Sequence, residues 1–107
     1  MIINCYGKAF AENQSYGGQP IIITEFGGIA ISQQEGWGYG DKANDLSILK
    51  ERMQKLFDAI YGLDYICGFC YTQLSDVYQE TNGLVYENRQ CKLPPEEVKK
   101  IVYRGDL

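Results

Sequence analysis

Pro20-Ile21-Ile22-Ile23-Thr24-Glu25-Phe26-Gly27-Gly28 is the stretch on which the reading of the fold turns. Three consecutive Ile residues between a Pro and a Gly pair predict a short strand, Ile21 to Glu25, buried on both faces. That pattern belongs to a parallel sheet covered by helices. Glu25 stands at the strand's C-terminal end, and Gly27-Gly28 then lets the backbone turn sharply. In parallel α/β architectures catalytic groups gather at the C-terminal ends of strands. A Glu in that place is also commonly a solvated edge charge, so position alone makes Glu25 a candidate and no more.

Downstream, Gly27 to Asn44 is Gly-rich and aromatic, centred on Gly36-Trp37-Gly38-Tyr39-Gly40, and loops of this length are functional or mobile. The spacing of Leu46, Leu49, Met53, Leu56, Phe57, Ile60 and Tyr61 then predicts a helix over Asp45 to Tyr61 with one apolar stripe. Asp45 or Ser47 can cap its start and Gly62 can end it. Tyr65 to Leu74 reads as a second strand, so strand, helix and strand form a parallel crossover. Ser75 to Gly83 is a polar loop rich in side chains able to bind hydroxyls. Leu84-Val85-Tyr86 pairs briefly, Glu87-Asn88-Arg89 turns, and Pro94-Pro95-Glu96-Glu97 opens a last helix with Pro and acids in its first turn. Upstream, Met1 to Tyr6 reads as a strand or a lead-in, and Glu12 to Gly18 has loop chemistry.

The chain of 107 residues suits one small domain. Its net charge is −4 and its longest basic cluster is Lys99-Lys100, which argues against nucleic-acid binding. Histidine is absent, so no Ser-His-Asp or Cys-His system can form within the chain, and the commonest zinc ligand is missing. Catalysis would rest on carboxylates, Tyr, Lys or Cys; no cofactor or metal is expected. Nine Tyr, four Phe and one Trp make an aromatic-rich chain, suited to core packing and to sugar stacking.

Cysteines stand at 5, 67, 70 and 91. Cys67-Gly68-Phe69-Cys70 has C-x-x-C spacing, but in a β-rich run the two thiols point to opposite faces, whereas a redox motif wants its first Cys at a helix N-terminus. They are expected to be small buried hydrophobes, and free thiols fit a reducing, cytoplasmic setting. No signal peptide or membrane-spanning run is apparent.

Five motifs in order carry a resemblance: Pro20 to Gly28, Gly36 to Gly40, Gly68-Phe-Cys-Tyr-Thr-Gln-Leu-Ser-Asp76, Gln79-Glu-Thr-Asn-Gly-Leu84 and Arg89-Gln-Cys-Lys92. Together they resemble the C-terminal end of the catalytic domain of glycoside hydrolase family two, which includes β-galactosidases, β-glucuronidases and β-mannosidases. The resemblance runs from about Gln19 to Ile101. It implies an α/β fold, a partial TIM (β/α)8 barrel made of strands seven and eight with their following helices, so that residues 1–107 form a C-terminal fragment of the barrel. It also implies a retaining mechanism with Glu25 as nucleophile, in which two carboxyl groups face each other about 5–5.5 Å apart. The second, proton-donating Glu follows an Asn in the family, and no Asn-Glu pair precedes Glu25. Glu12, the sole earlier Glu, follows Ala11. The isolated chain is therefore expected to be inactive, and the open edges of two strands are expected to drive self-association.

In family members that read uronates, an Asn-x-Lys pair grips the substrate carboxylate; aligned on Gly83, those positions are Glu80 and Asn82. The Lys is absent and Glu80 would repel a carboxylate, which favours a neutral, galactoside-like sugar. Trp37 is a candidate sugar platform, Tyr71 and Gln73 candidates to face the substrate together, and Asp76 and Asn82 candidates to contact hydroxyls. Arg89 and Lys92 read as structural. The competing reading is a non-catalytic carbohydrate-binding or interaction module using the same loops. A small thiol protein built on the C-x-x-C is a third, disfavoured by the strand placement.

Overall fold

The structure is a computed structural model that describes residues 15–31 and 45–104. The expected strand at Met1 to Tyr6, Glu12, Cys5 and the Trp37 loop lie outside the described residues. The element order is β1 (Ile21–Gly27), α1 (Leu46–Tyr61), β2 (Ile66–Thr72) and α2 (Pro95–Val102). The crossover read from the sequence is present: β1 and β2 pair in parallel with α1 between them in the chain.

The helix follows from its stripe. Leu49, Met53, Phe57 and Ile60 are buried at three- and four-residue intervals. Asp45 is the N-cap, accepting from the Ile48 N–H at 3.0 Å while the Ser47 hydroxyl donates to the same carboxylate at 2.6 Å. Gly62 closes the helix, its N–H donating to Asp58 O. The stripe packs on the inner face of the sheet. Phe26 meets Phe57, Phe69 and Tyr71 edge-on at ring distances of 5.2, 5.8 and 5.4 Å. Short α2 adds Ile101 to this core, and the Tyr61 hydroxyl ties the two helices by donating to Val102 O at 2.7 Å.

The register is not uniform. β2 carries one extra residue, Cys67, between the Ile21–Ile66 and Ile22–Gly68 pairs, and β1 carries one extra between Ile23–Phe69 and Phe26–Tyr71. Each is a local bulge, which breaks the two-residue alternation and turns the side chains after it. On β1, Ile23 and Phe26 both enter the core while Thr24 and Glu25 between them are both exposed. With strict alternation Glu25 would share the face of Ile23.

Three expectations are corrected here. The partial (β/α)8 barrel is overturned: the described residues form one sheet of two parallel strands with two helices, too small and sparse for a barrel segment carrying strands seven and eight. A barrel wall gives each strand a neighbour on both sides, and among the described residues each strand has one. Burial of β1 on both faces also fails, since Ile22 is 63% exposed on the face away from α1. Finally, Cys67, Cys70 and Cys91 are exposed free thiols rather than buried hydrophobes. The extra residue at Cys67 explains the first two: Ile66, Phe69 and Tyr71 pack on the core, leaving both cysteines outside it.

Candidate functional site

The C-terminal ends of β1 and β2 are joined closely. Gly28 N–H donates to Thr72 O at 2.6 Å, and Gly27 lies against the Tyr71 ring with φ of 101°. A Cβ at Gly27 would sit 2.8 Å from both Cδ2 and Cζ of that ring, so only glycine lets the strands approach here. Glu25 stands two residues before this contact, on the exposed side that the bulge creates.

Tyr71 points inward rather than toward Glu25's exposed face. Its ring stacks on Phe57 at 5.9 Å, and its hydroxyl is buried without a hydrogen-bond partner. Gln73, one residue beyond β2, likewise has its side-chain Nε2 buried and unpartnered. Burial pushes the Tyr71 phenol well above the ordinary tyrosine value. The folded state thus holds the proton more tightly than the unfolded chain. Its contribution is fully present below about pH 10 and is lost as pH rises beyond that ordinary value. Replacing Tyr71 with Phe removes both the orphaned hydroxyl and this alkaline loss. A gain of about 1 kcal/mol is expected, read as a rise of about 4–8 °C in Tm together with a flatter stability profile above pH 10.

Beyond β2 the chain folds back on a buried ionic centre. Lys92 Nζ donates to Asp76 Oδ1 at 2.8 Å and to Thr81 O at 2.9 Å, and lies 5.3 Å from the centre of the Tyr86 ring. The Lys92 side chain is fully buried. Asp76 Oδ1 also accepts from Gly83 N–H at 2.8 Å. The structural reading of Lys92 is what the geometry shows, and Arg89 donates to the Ser75 hydroxyl across the same loop. Asp76, named from sequence as a sugar contact, spends this carboxylate oxygen on the loop. Asn82 is 1% exposed with its Oδ1 unpartnered, and Thr81, 6% exposed, has an unpartnered hydroxyl.

This centre floors an open cleft of about 520 Å³. Its walls include Asp76, Thr81, Tyr86 and Asn88, with Tyr78 at the rim. Sequence reasoning did not single out Tyr78, Thr81 or Tyr86. The density of hydroxyl-binding side chains from Ser75 to Gly83 was the available signal, but Tyr86 and Asn88 join the cleft through long-range folding of the loop. Among the described residues no group of His, Cys, Asp and Glu could hold a metal ion, and no helix is long and apolar enough to cross a membrane.

No family model matches the chain, and no curated protein does.

Proposed function

We propose that this chain carries the nucleophile of a retaining β-glycosidase that resembles glycoside hydrolase family two and acts on a neutral, galactoside-like sugar. One observation supports the reading most. Buried polar groups are normally paired, and an orphan costs about 1–3 kcal/mol. Among the described residues four buried side chains hold an unpartnered N or O atom: Tyr71, Gln73, Thr81 and Asn82. Three of these, Tyr71, Gln73 and Asn82, are the substrate-contact candidates read from the sequence. Tyr71 stands near the C-terminal end of β2 with its ring on the core, and Gln73 and Asn82 follow that strand. A bound sugar offers hydroxyls to satisfy such groups.

In this reaction the Glu25 carboxylate attacks the anomeric carbon, the bond to the leaving oxygen breaks, and a glycosyl ester on Glu25 results; water then hydrolyses the ester. Expulsion of an ordinary alcohol needs a proton from a second carboxyl group. The sequence holds no Asn-Glu pair for that role, so the isolated chain is proposed to be inactive on ordinary glycosides. Asn82 stands where uronate readers place their Lys, and Glu80 at the paired position would repel a carboxylate, which together favour a neutral substrate. Three exposed free thiols favour a reducing, cytoplasmic setting, which alkylation of thiols in intact cells would contradict by finding them oxidised.

A dinitrophenyl leaving group departs without protonation and so isolates the nucleophile's part. Dinitrophenyl 2-deoxy-2-fluoro-β-galactoside is expected to leave a glycosyl adduct on the Glu25 peptide, seen by mass spectrometry and absent from Glu25→Gln. The corresponding glucuronide is expected to label at least tenfold more slowly. An unlabelled Glu25, or a label on another carboxylate, overturns the assignment.

A further inference from the structure

We propose that the cleft in the loop between β2 and α2 is itself a saccharide-binding subsite, one that Glu25 does not line and that takes a neutral pyranose. The choice of sugar over other neutral polar ligands rests on the glycosidase reading. The existence of the site does not, and it stands on three observations.

First, Thr81 lines the cleft, is 6% exposed, and has a hydroxyl with no partner. A hydroxyl can donate one hydrogen bond and accept two. A ligand hydroxyl entering the cleft supplies what the protein withholds.

Second, Tyr78 is held in a costly place. Val77 and Glu80 exchange N–H to carbonyl bonds at 3.0 and 2.9 Å, leaving Tyr78 and Gln79 as the two central residues of a tight turn. The first position of such a turn at positive φ is usually glycine. Here it is a tyrosine at φ 51°, and the residue is 88% exposed. A bulky side chain on a left-handed backbone that buries nothing has no packing reason to be there. Its place at the rim puts an aromatic face beside the polar groups of the cleft, the combination that recognises the apolar face and the hydroxyl edge of a sugar ring.

Third, the charges exclude other ligands. Asn88 Oδ1 accepts from Gln90 N–H at 3.0 Å, which fixes its amide and leaves the NH2 group as a donor. Among the described residues no Lys or Arg lines the cleft, and the Lys92 ammonium beneath it is buried and bound to Asp76 and Thr81 O. Glu87 adds a negative charge at the wall. Phosphates and uronates find no counter-charge, while a neutral polyol finds hydroxyl, amide and aromatic partners.

The test is an NMR titration of the whole chain with methyl β-galactoside and lactose, with galacturonate and inorganic phosphate in parallel. Saturable shifts that include the Ser75–Lys92 loop are expected with the neutral sugars alone. Tyr78→Ala is expected to weaken binding about tenfold, and Thr81→Val, which keeps the shape but removes the hydroxyl, about threefold to tenfold. Tyr78→Gly should melt no lower than the parent, because glycine suits the positive φ, and should still lose binding. The proposal is overturned if neutral sugars do not bind, if galacturonate or phosphate binds more tightly, or if either Tyr78 variant binds normally. Tyr78-dependent binding without a fluorosugar adduct on Glu25 removes the nucleophile assignment and keeps the subsite. An adduct without loop shifts does the reverse.

Discussion

Lys92→Met is expected to cost about 3–5 kcal/mol of folding stability, a large part of what a domain of this size possesses. The side chain is fully buried, and its ammonium serves Asp76 and Thr81 O at once. Methionine keeps the length and the apolar stem but leaves the Asp76 carboxylate inside the protein, with the Gly83 N–H as its remaining partner on the shared oxygen. The penalty comes mainly from that stranded charge. Adding Asp76→Asn should therefore recover much of the loss, since asparagine can still accept from Gly83 N–H and carries no charge. Urea denaturation provides the measurement: a lower midpoint at constant slope for Lys92→Met, with partial recovery in the double variant. Equal midpoints for Lys92→Met and the parent would mean that the pair does not hold this loop.

Gly83→Ala is the second large effect, expected at about 3 kcal/mol, the upper end for overpacking. Gly83 is buried against the backbone that leaves β2. A Cβ there would fall 2.8 Å from Ser75 Cα and closer still to Ser75 C and Asp76 N. These are main-chain atoms, so no side chain can swing aside, and the two segments must separate. Separation pulls Gly83 N–H from Asp76 and loosens the Lys92 pair behind it. The two substitutions share Asp76 and should not add: Gly83→Ala in the Lys92→Met background should cost less than in the parent. Thermal unfolding of the four chains in this cycle measures the coupling. Full additivity would show that Gly83 and Lys92 act independently.

These effects concern a loop whose role was only half visible beforehand. Lys92 read as structural from its place in the tail, yet its partner lies sixteen residues away at Asp76, a residue that read as a sugar contact. Short-range patterns report the period of an element but not which loop side chains meet. The same holds for Tyr78 and Tyr86, which are unremarkable aromatics in the sequence and share a cleft only because Val85 pairs with both Ser75 and Cys91.

By itself the sequence determined the order of β1, α1 and β2, the phase of the α1 stripe, a cap at Asp45 or Ser47 and the opening of α2. Each is set by contacts within a few residues or by a repeating apolar interval. The tertiary structure decided the rest. Pairing between β1 and β2 introduces an extra residue on each strand, and those shifts expose Glu25 beside Thr24, send Phe26 inward and leave Cys67 and Cys70 outside the core. They arise from register between segments some forty residues apart, which no local period encodes. The barrel implied by the resemblance failed for a related reason: motifs in order specify strands and turns, but a barrel needs every strand to have two neighbours. The stretch from Pro20 to Gly28 was thus legible as a strand carrying a carboxylate near its end, while its continuation to Gly27 and the direction of that carboxylate were settled by the strand beside it.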